Sequence, residues 1–141
     1  MTELYKTVFF AAPRETVWAF LTEADKLALW FHPAEADLSE GEDYALVARN
    51  DDGSTNPQCW GKVLEMQKPA RMVWSFTIKP LAGAMTTVTW TLSEAHGGTR
   101  LTLEHDGIAN AAGEAALGLL SALDKGWDVH FGQLREAVAS S

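Results

Sequence analysis

Basic residues are scarce in this chain. Eleven Lys and Arg stand against 19 Asp and Glu, giving a formal net charge of -8, and no run of Lys or Arg occurs. A nucleic-acid binder needs a basic patch to displace phosphate counterions, so nucleic acid is excluded as an expected partner. The same charge disfavours an anionic membrane surface and favours solubility. Cysteine is nearly absent. Cys59 alone cannot close an internal disulfide, and zinc-type cysteine spacing is missing. A lone cysteine fits a reducing cytosol, so a cytoplasmic location is expected. Long apolar runs are also missing. The N-terminal MTELYKTVFFAAP carries Glu3 and is a poor signal peptide, and no segment elsewhere is long enough to span a bilayer.

The common catalytic signatures are lacking too. No two histidines stand at i, i+4, and the acidic Asp43, Asp51 and Asp52 do not follow the EF-hand order. There is no Gly-x-Ser-x-Gly elbow and no phosphate loop. Gly97-Gly98 is better explained as a hairpin turn. Cys59 has only Lys62 as a basic neighbour, a poor setting for a nucleophile. The expectation is therefore no metal, no cofactor and no assigned catalytic residue.

What is present is apolar and patterned. The 141 residues are 47% hydrophobic and include six tryptophans, large amphipathic side chains that suit both cores and pocket walls. That length suits one domain, 1–141, able to fold without disulfide or metal. Leu4 to Phe10 reads as a strand. Pro13 can open a helix, since its missing N–H costs nothing there, and Val17, Phe20, Leu21 and Ala24 follow at helical spacing. Thr22 is expected to cap a second short helix carrying Leu27, Leu29 and Trp30, which Pro33 closes.

From Glu35 to His105 the apolar positions recur at every second residue. Turn signals interrupt them at Ser39-Glu40-Gly41, Asn50-Asp51-Asp52-Gly53, Lys68-Pro69-Ala70, Pro80-Leu81-Ala82-Gly83 and His96-Gly97-Gly98. Met72, Trp74 and Phe76 share a face, as do Val88, Trp90 and Leu92, and Leu101, Leu103 and His105. The opposite faces are largely Thr, Ser and Glu, so the sheet is covered on one side only. The cover is a predicted helix from Ala111 to Val138, about 28 residues or ~42 Å long. Its stripe comprises Ala112, Ala116, Leu120, Leu123, Trp127, Phe131, Leu134 and Val138. Gly118 and Gly126 weaken it or let it bend. A curved sheet round a straight helix leaves a gap, and small Ala112 and Ala116 point to an opening at one end.

These pieces resemble a known family. PRETVWAFLTEADKLALWFHP resembles the opening of the START-like, Bet-v-allergen-like (SRPBCC) superfamily. Gly61-Lys62-Val63-Leu64-Glu65-Met66, followed by Pro69, Arg71 and Val73-Trp74, resembles the mid-sheet signature of the heat shock protein 90 ATPase activator branch. Thr99 to Leu103 with His105-Asp106-Gly107 resembles its last strand and exit turn, and Gly126-Trp127, Phe131 and Leu134 resemble its final helix. The resemblance covers nearly the whole chain in order. It departs at Glu40-Gly41-Glu42-Asp43-Tyr44, where the family often has Gly-Gly-x-Tyr. It implies an α+β helix-grip fold, with about seven antiparallel strands wrapped round the C-terminal helix and two short helices after the first strand. It also implies an apolar or amphipathic ligand in the cavity. A minority of relatives are cyclases, aromatases or hydrolases.

The expected ligand-contacting set is Trp30, Phe31, Trp74, Phe76, Trp90, Leu103, His105, Leu120, Leu123, Trp127, His130 and Phe131. For the aromatic members, core packing and cavity lining are both open, because core and cavity wall are continuous in such a fold. His105 can be a satisfied structural histidine, a ligand contact, or a general base with His130 or Tyr44 as partner. Three functions follow in order: binding of a small apolar or aromatic ligand, a stress-related interaction module with a chaperone as partner, and a cyclase- or hydrolase-like enzyme. Oligomeric state is open.

Overall fold

A computed structural model describes residues 3–141. The chain begins with β1 (Leu4–Phe10), α1 (Arg14–Thr22) and α2 (Ala24–Trp30). A meander follows: β2 (Asp43–Arg49), β3 (Thr55–Gln67), β4 (Arg71–Phe76), β5 (Thr86–Ala95) and β6 (Gly98–Asp106). The chain then forms α3 (Ile108–Ala112), a 3-10 turn over Gly113–Ala115, and α4 (Ala116–Ala139). The six strands form one antiparallel sheet in the order β1-β6-β5-β4-β3-β2. The period-2 reading holds on β5 and β6, whereas on β4 Val73 is buried together with Met72 and Trp74 on either side of it. Val88, Trp90 and Leu92 are buried on β5, and Leu101, Leu103 and His105 on β6.

The strand count is six rather than about seven. β3 is 13 residues long and lies between β4 and β2, pairing with one along each edge. The ladder to β2 runs as far as Lys62 and the ladder to β4 begins at Val63, with Trp60 also bridging to Thr77 and a register shift between Val63 and Glu65. Shifts of this kind bend a strand and increase its twist. Gly61 sits at the bend. A Cβ there would lie 2.1 Å from the Ser75 carbonyl oxygen, so only glycine lets β3 and β4 approach this closely.

Two helix boundaries differ from the sequence reading. Thr22 does not cap α2. Its hydroxyl donates to the Trp18 carbonyl within α1, and the Ala24 N–H at the start of α2 is taken by the Asp37 carboxylate at 2.8 Å. The long helix starts at Ala116 rather than Ala111, because Gly113 adopts φ 59, ψ -123 and interrupts it. The short α3 is held separately. The Glu3 carboxylate accepts the N–H groups of Ile108 (2.6 Å) and Ala109 (3.0 Å), satisfying donors that a helix start leaves free.

α4 lies on the inner face of the sheet with its C-terminal half well sunk. Trp127, Phe131, Leu134 and Val138 are buried, whereas Ala112, Ala116, Leu120 and Leu123 of the same stripe are only half-buried. Lys6 on β1 ties the helix down through ion pairs to Asp124 and Asp128. The helix therefore grips at its far end and stands more open at its near end.

Candidate functional site

The floor of the site is a continuous aromatic cluster. Trp90 meets Trp30, Trp127 and Phe131 edge-on, at 87°, 85° and 86°. Trp127 and Phe131, one turn apart on α4, stack at 22°. Such edge-to-face and offset contacts stabilise the cluster beyond simple area burial. The indole N–H groups of Trp74 and Trp90 are buried without an oxygen or nitrogen partner.

His105 sits under this cluster and is fully buried. The Trp127 indole N–H donates to His105 Nδ1 at 3.1 Å. His105 Nε2 lies 2.8 Å from the Thr86 hydroxyl, which donates its own proton to the Phe76 carbonyl at 2.7 Å. The Thr86 proton is thus committed, so the imidazole must carry its hydrogen on Nε2 and accept on Nδ1. The chain of donors runs one way, from Trp127 through His105 and Thr86 to the β4 backbone. Burial pushes the His105 pKa down to about 4, against a smaller opposing influence of Glu3, so the ring is neutral. Both nitrogens are occupied within the protein, and Tyr44 is committed elsewhere, donating to the Ser75 carbonyl at 2.7 Å.

A cavity of about 120 Å³ opens between α4, the loop after α2, and the strands β3 and β4. Its walls are Phe31, His32, Gln58, Cys59, Phe76, Ile78, Ala122, Leu123, Gly126, Trp127 and His130. The opening follows from the packing of α4. Where the helix carries Ala122 and Gly126, it presents no bulk to fill the gap, and the deeper Trp127 closes the bottom. Phe31 leans on the His130 ring at 4.6 Å and on Trp127 at 5.4 Å, forming one side of the mouth.

The polar groups of this pocket differ in their commitments. His130 Nδ1 donates to the Trp30 carbonyl at 3.3 Å, and its ring also engages the Gln133 side chain. Gln58 gives its Nε2 to the Asn56 carbonyl at 3.1 Å. His32 makes ring contacts with Phe31 at 4.9 Å and His130 at 5.3 Å. Burial lowers the His32 pKa, and the facing His130 lowers it further. Burial pushes the Cys59 thiol well up, which keeps it protonated and poorly nucleophilic. Among the described residues, no side chain of Asp, Glu, Lys or Arg lines the cavity. Among the described residues, no group of three or more His, Cys, Asp or Glu is placed to hold a metal ion. No helix among them is long and apolar enough to cross a membrane.

Residues 11–139 match the family described as Activator of Hsp90 ATPase homolog 1-like protein. The chain belongs to this family. No curated protein matches it. Among solved structures it is similar to CalU16 from Micromonospora echinospora, at 25% identity and TM-score 0.75, over 95% of this chain and 74% of that one. It is similar to NE0264 from Nitrosomonas europaea at 25% identity and TM-score 0.76, over 97% and 94% of the two chains. SA2116 from Staphylococcus aureus, a protein of unknown function, shares only the fold, at 15% identity and TM-score 0.78 over 97% and 93%.

Within this Hsp90-activator-like frame the expected contact residues divide. Phe31, Phe76, Leu123, Trp127 and His130 come together around the pocket. Trp74, Trp90, Leu103, His105 and Phe131 lie in the packed core beneath it. Leu120 is half-buried one turn away along α4. Trp30 is buried, and its outer edge borders a wider hollow between α2 and the end of α4, rimmed by Lys26, Gln133 and Glu136. Sequence reasoning missed His32, Gln58, Cys59, Ile78, Ala122 and Gly126. The last two were legible as a small pair at i, i+4 beside Leu123 and Trp127. His32, on a loop, gave no periodic signal.

Proposed function

We propose that this protein binds a small apolar or aromatic molecule in the pocket between the sheet and α4. The observation that carries this reading is the cavity itself. It is open, walled by Phe31, Phe76, Ile78, Leu123 and Trp127, and sits between α4 and the strands β3 and β4. Its volume of about 120 Å³ is that of a site for one ring, since an apolar cavity of ~150 Å³ takes up benzene. The enzyme alternative gains nothing from His105, whose two nitrogens are spent on Trp127 and Thr86. Native mass spectrometry of freshly purified protein tests the binding reading. A retained small-molecule mass that disappears on denaturation is the expected result. Protein of bare chain mass that also takes up no added aromatic compound would refute it.

The family match supports a second reading, an interaction with the Hsp90-type chaperone its name refers to. A pull-down with the purified chaperone, with no enrichment over a control protein, would remove it.

A further inference from the structure

Phe31 stands between two spaces. It borders the cavity under α4 and also the hollow between α2 and the end of α4, and it is the one described residue that lines both. Its ring contacts divide the same way. On the cavity side the ring meets Trp127 at 5.4 Å and His130 at 4.6 Å, and on the hollow side it stacks on Trp30 at 5.1 Å with 21° between the planes. The backbone that carries the ring is pinned before and after it. The Phe31 N–H donates to the Leu27 carbonyl at 2.9 Å, the Val47 N–H donates to the Pro33 carbonyl at 2.8 Å, and Ala34 bridges to Leu46. The side chain itself, rather than the run of the loop, therefore divides the two spaces. They differ in size and character. Among the described residues no charged side chain lines the cavity of about 120 Å³. The hollow, of about 710 Å³, is floored by Phe20, Trp30 and Ala137 and rimmed by Lys26, Gln133 and Glu136.

Resting on the binding reading above, we infer that Phe31 sets the length of ligand this protein accepts: its ring ends the site after a single aromatic ring and closes off a path along which an apolar chain would run to the polar rim of the hollow. Without that ring the cavity and the hollow join. The joined site suits an elongated molecule, apolar at one end and polar at the other. Its chain would cross Phe20, Trp30 and Ala137 before the polar end met Lys26, Gln133 and Glu136. Each methylene taken out of water on that path strengthens binding.

The test titrates benzene and phenylhexanol, a phenyl ring on a hexyl chain ending in a hydroxyl, by ligand-observed NMR. The proteins are the wild type, Phe31→Ala, Ala28→Trp and the double variant Phe31→Ala/Ala28→Trp. Ala28 is exposed on α2 and lines the hollow but not the cavity, so a large side chain there blocks the hollow alone. In the wild type the chain finds no apolar path, and the two compounds are expected to bind within about twofold of each other. In Phe31→Ala phenylhexanol is expected to bind about tenfold more tightly than benzene, the return on burying roughly two methylenes. The double variant returns to the wild-type ratio, and Ala28→Trp alone leaves both affinities unchanged. Benzene binding in each variant reports an intact cavity. Should Phe31→Ala lose benzene as well, Phe31→Val carries the same comparison with the same expected direction. A tenfold preference already present in the wild type, no gained preference in a Phe31 variant that binds benzene, or a preference that survives in the double variant would overturn the inference and leave the binding reading standing. Failure of both compounds to bind the wild type would instead remove the binding reading, and this inference with it.

Discussion

At the scale of single residues, His105 is the clearest case of chemistry decided by surroundings. Its alternation with Leu101 and Leu103 placed it inward, but only coordinates show that Trp127 and Thr86 take both nitrogens. The consequence is a pH dependence with a definite sign. Burial holds the folded-state pKa at about 4, below the usual 6.5, so the unfolded chain binds the extra proton first. Stability from this group is complete above 6.5 and is lost as pH falls through 4, by about 3 kcal/mol in all. Urea unfolding measured across this range should show stability declining toward acid, and His105→Leu should flatten the decline even though it lowers stability at neutral pH. A slope unchanged by that substitution would mean that other groups carry it. His32 and His130, whose pKa values burial also lowers, act in the same direction from the pocket mouth. A second residue-scale expectation concerns Trp127→Phe. It keeps a ring on α4 but leaves Nδ1 of a buried imidazole unpaired, at a cost of about 1–3 kcal/mol, measurable as a lowered urea midpoint.

At the scale of elements, β3 explains most of what the fold needs and sequence did not show. Period-2 patterning identifies strands well, because each of β5 and β6 buries alternate side chains without exception in its central run. It says little about a long strand that pairs on both edges and shifts register midway, as β3 does between β2 and β4. Gly61 makes the close approach of β3 to β4 possible. Gly61→Ala would put a methyl group 2.1 Å from a backbone oxygen, which no rotamer change can relieve. The expected destabilisation is about 2 kcal/mol or more, read as a lowered melting temperature, and a neutral result would show that the two strands can separate there at no cost. The helix boundaries failed for a related reason. Asp37 caps α2 from 13 residues away and Glu3 caps α3 from over 100 residues away, so the local sequence carries neither signal. Gly113 breaks the helix where Gly118 and Gly126 do not, because it adopts a positive φ that a right-handed helix does not accommodate.

At the scale of the whole molecule, the sheet and α4 form a clamp that is tight at one end and loose at the other. The tight end was legible as the stripe Trp127, Phe131, Leu134 and Val138, all now buried. The loose end was legible only as a run of small residues, and it lies at Ala122 and Gly126 rather than at Ala112 and Ala116. This geometry separates stability from binding. A side chain at Gly126 would meet nothing within 4 Å at its first carbon, and the residue lines the cavity. Gly126→Leu should therefore stabilise α4 by up to about 1 kcal/mol through helix propensity while its side chain occupies the space meant for a ligand. Thermal unfolding and ligand titration on the same variant should move in opposite directions, with melting temperature up and aromatic binding lost. If binding survived in a protein that melted higher, the ligand would have to sit elsewhere than under this turn of the helix.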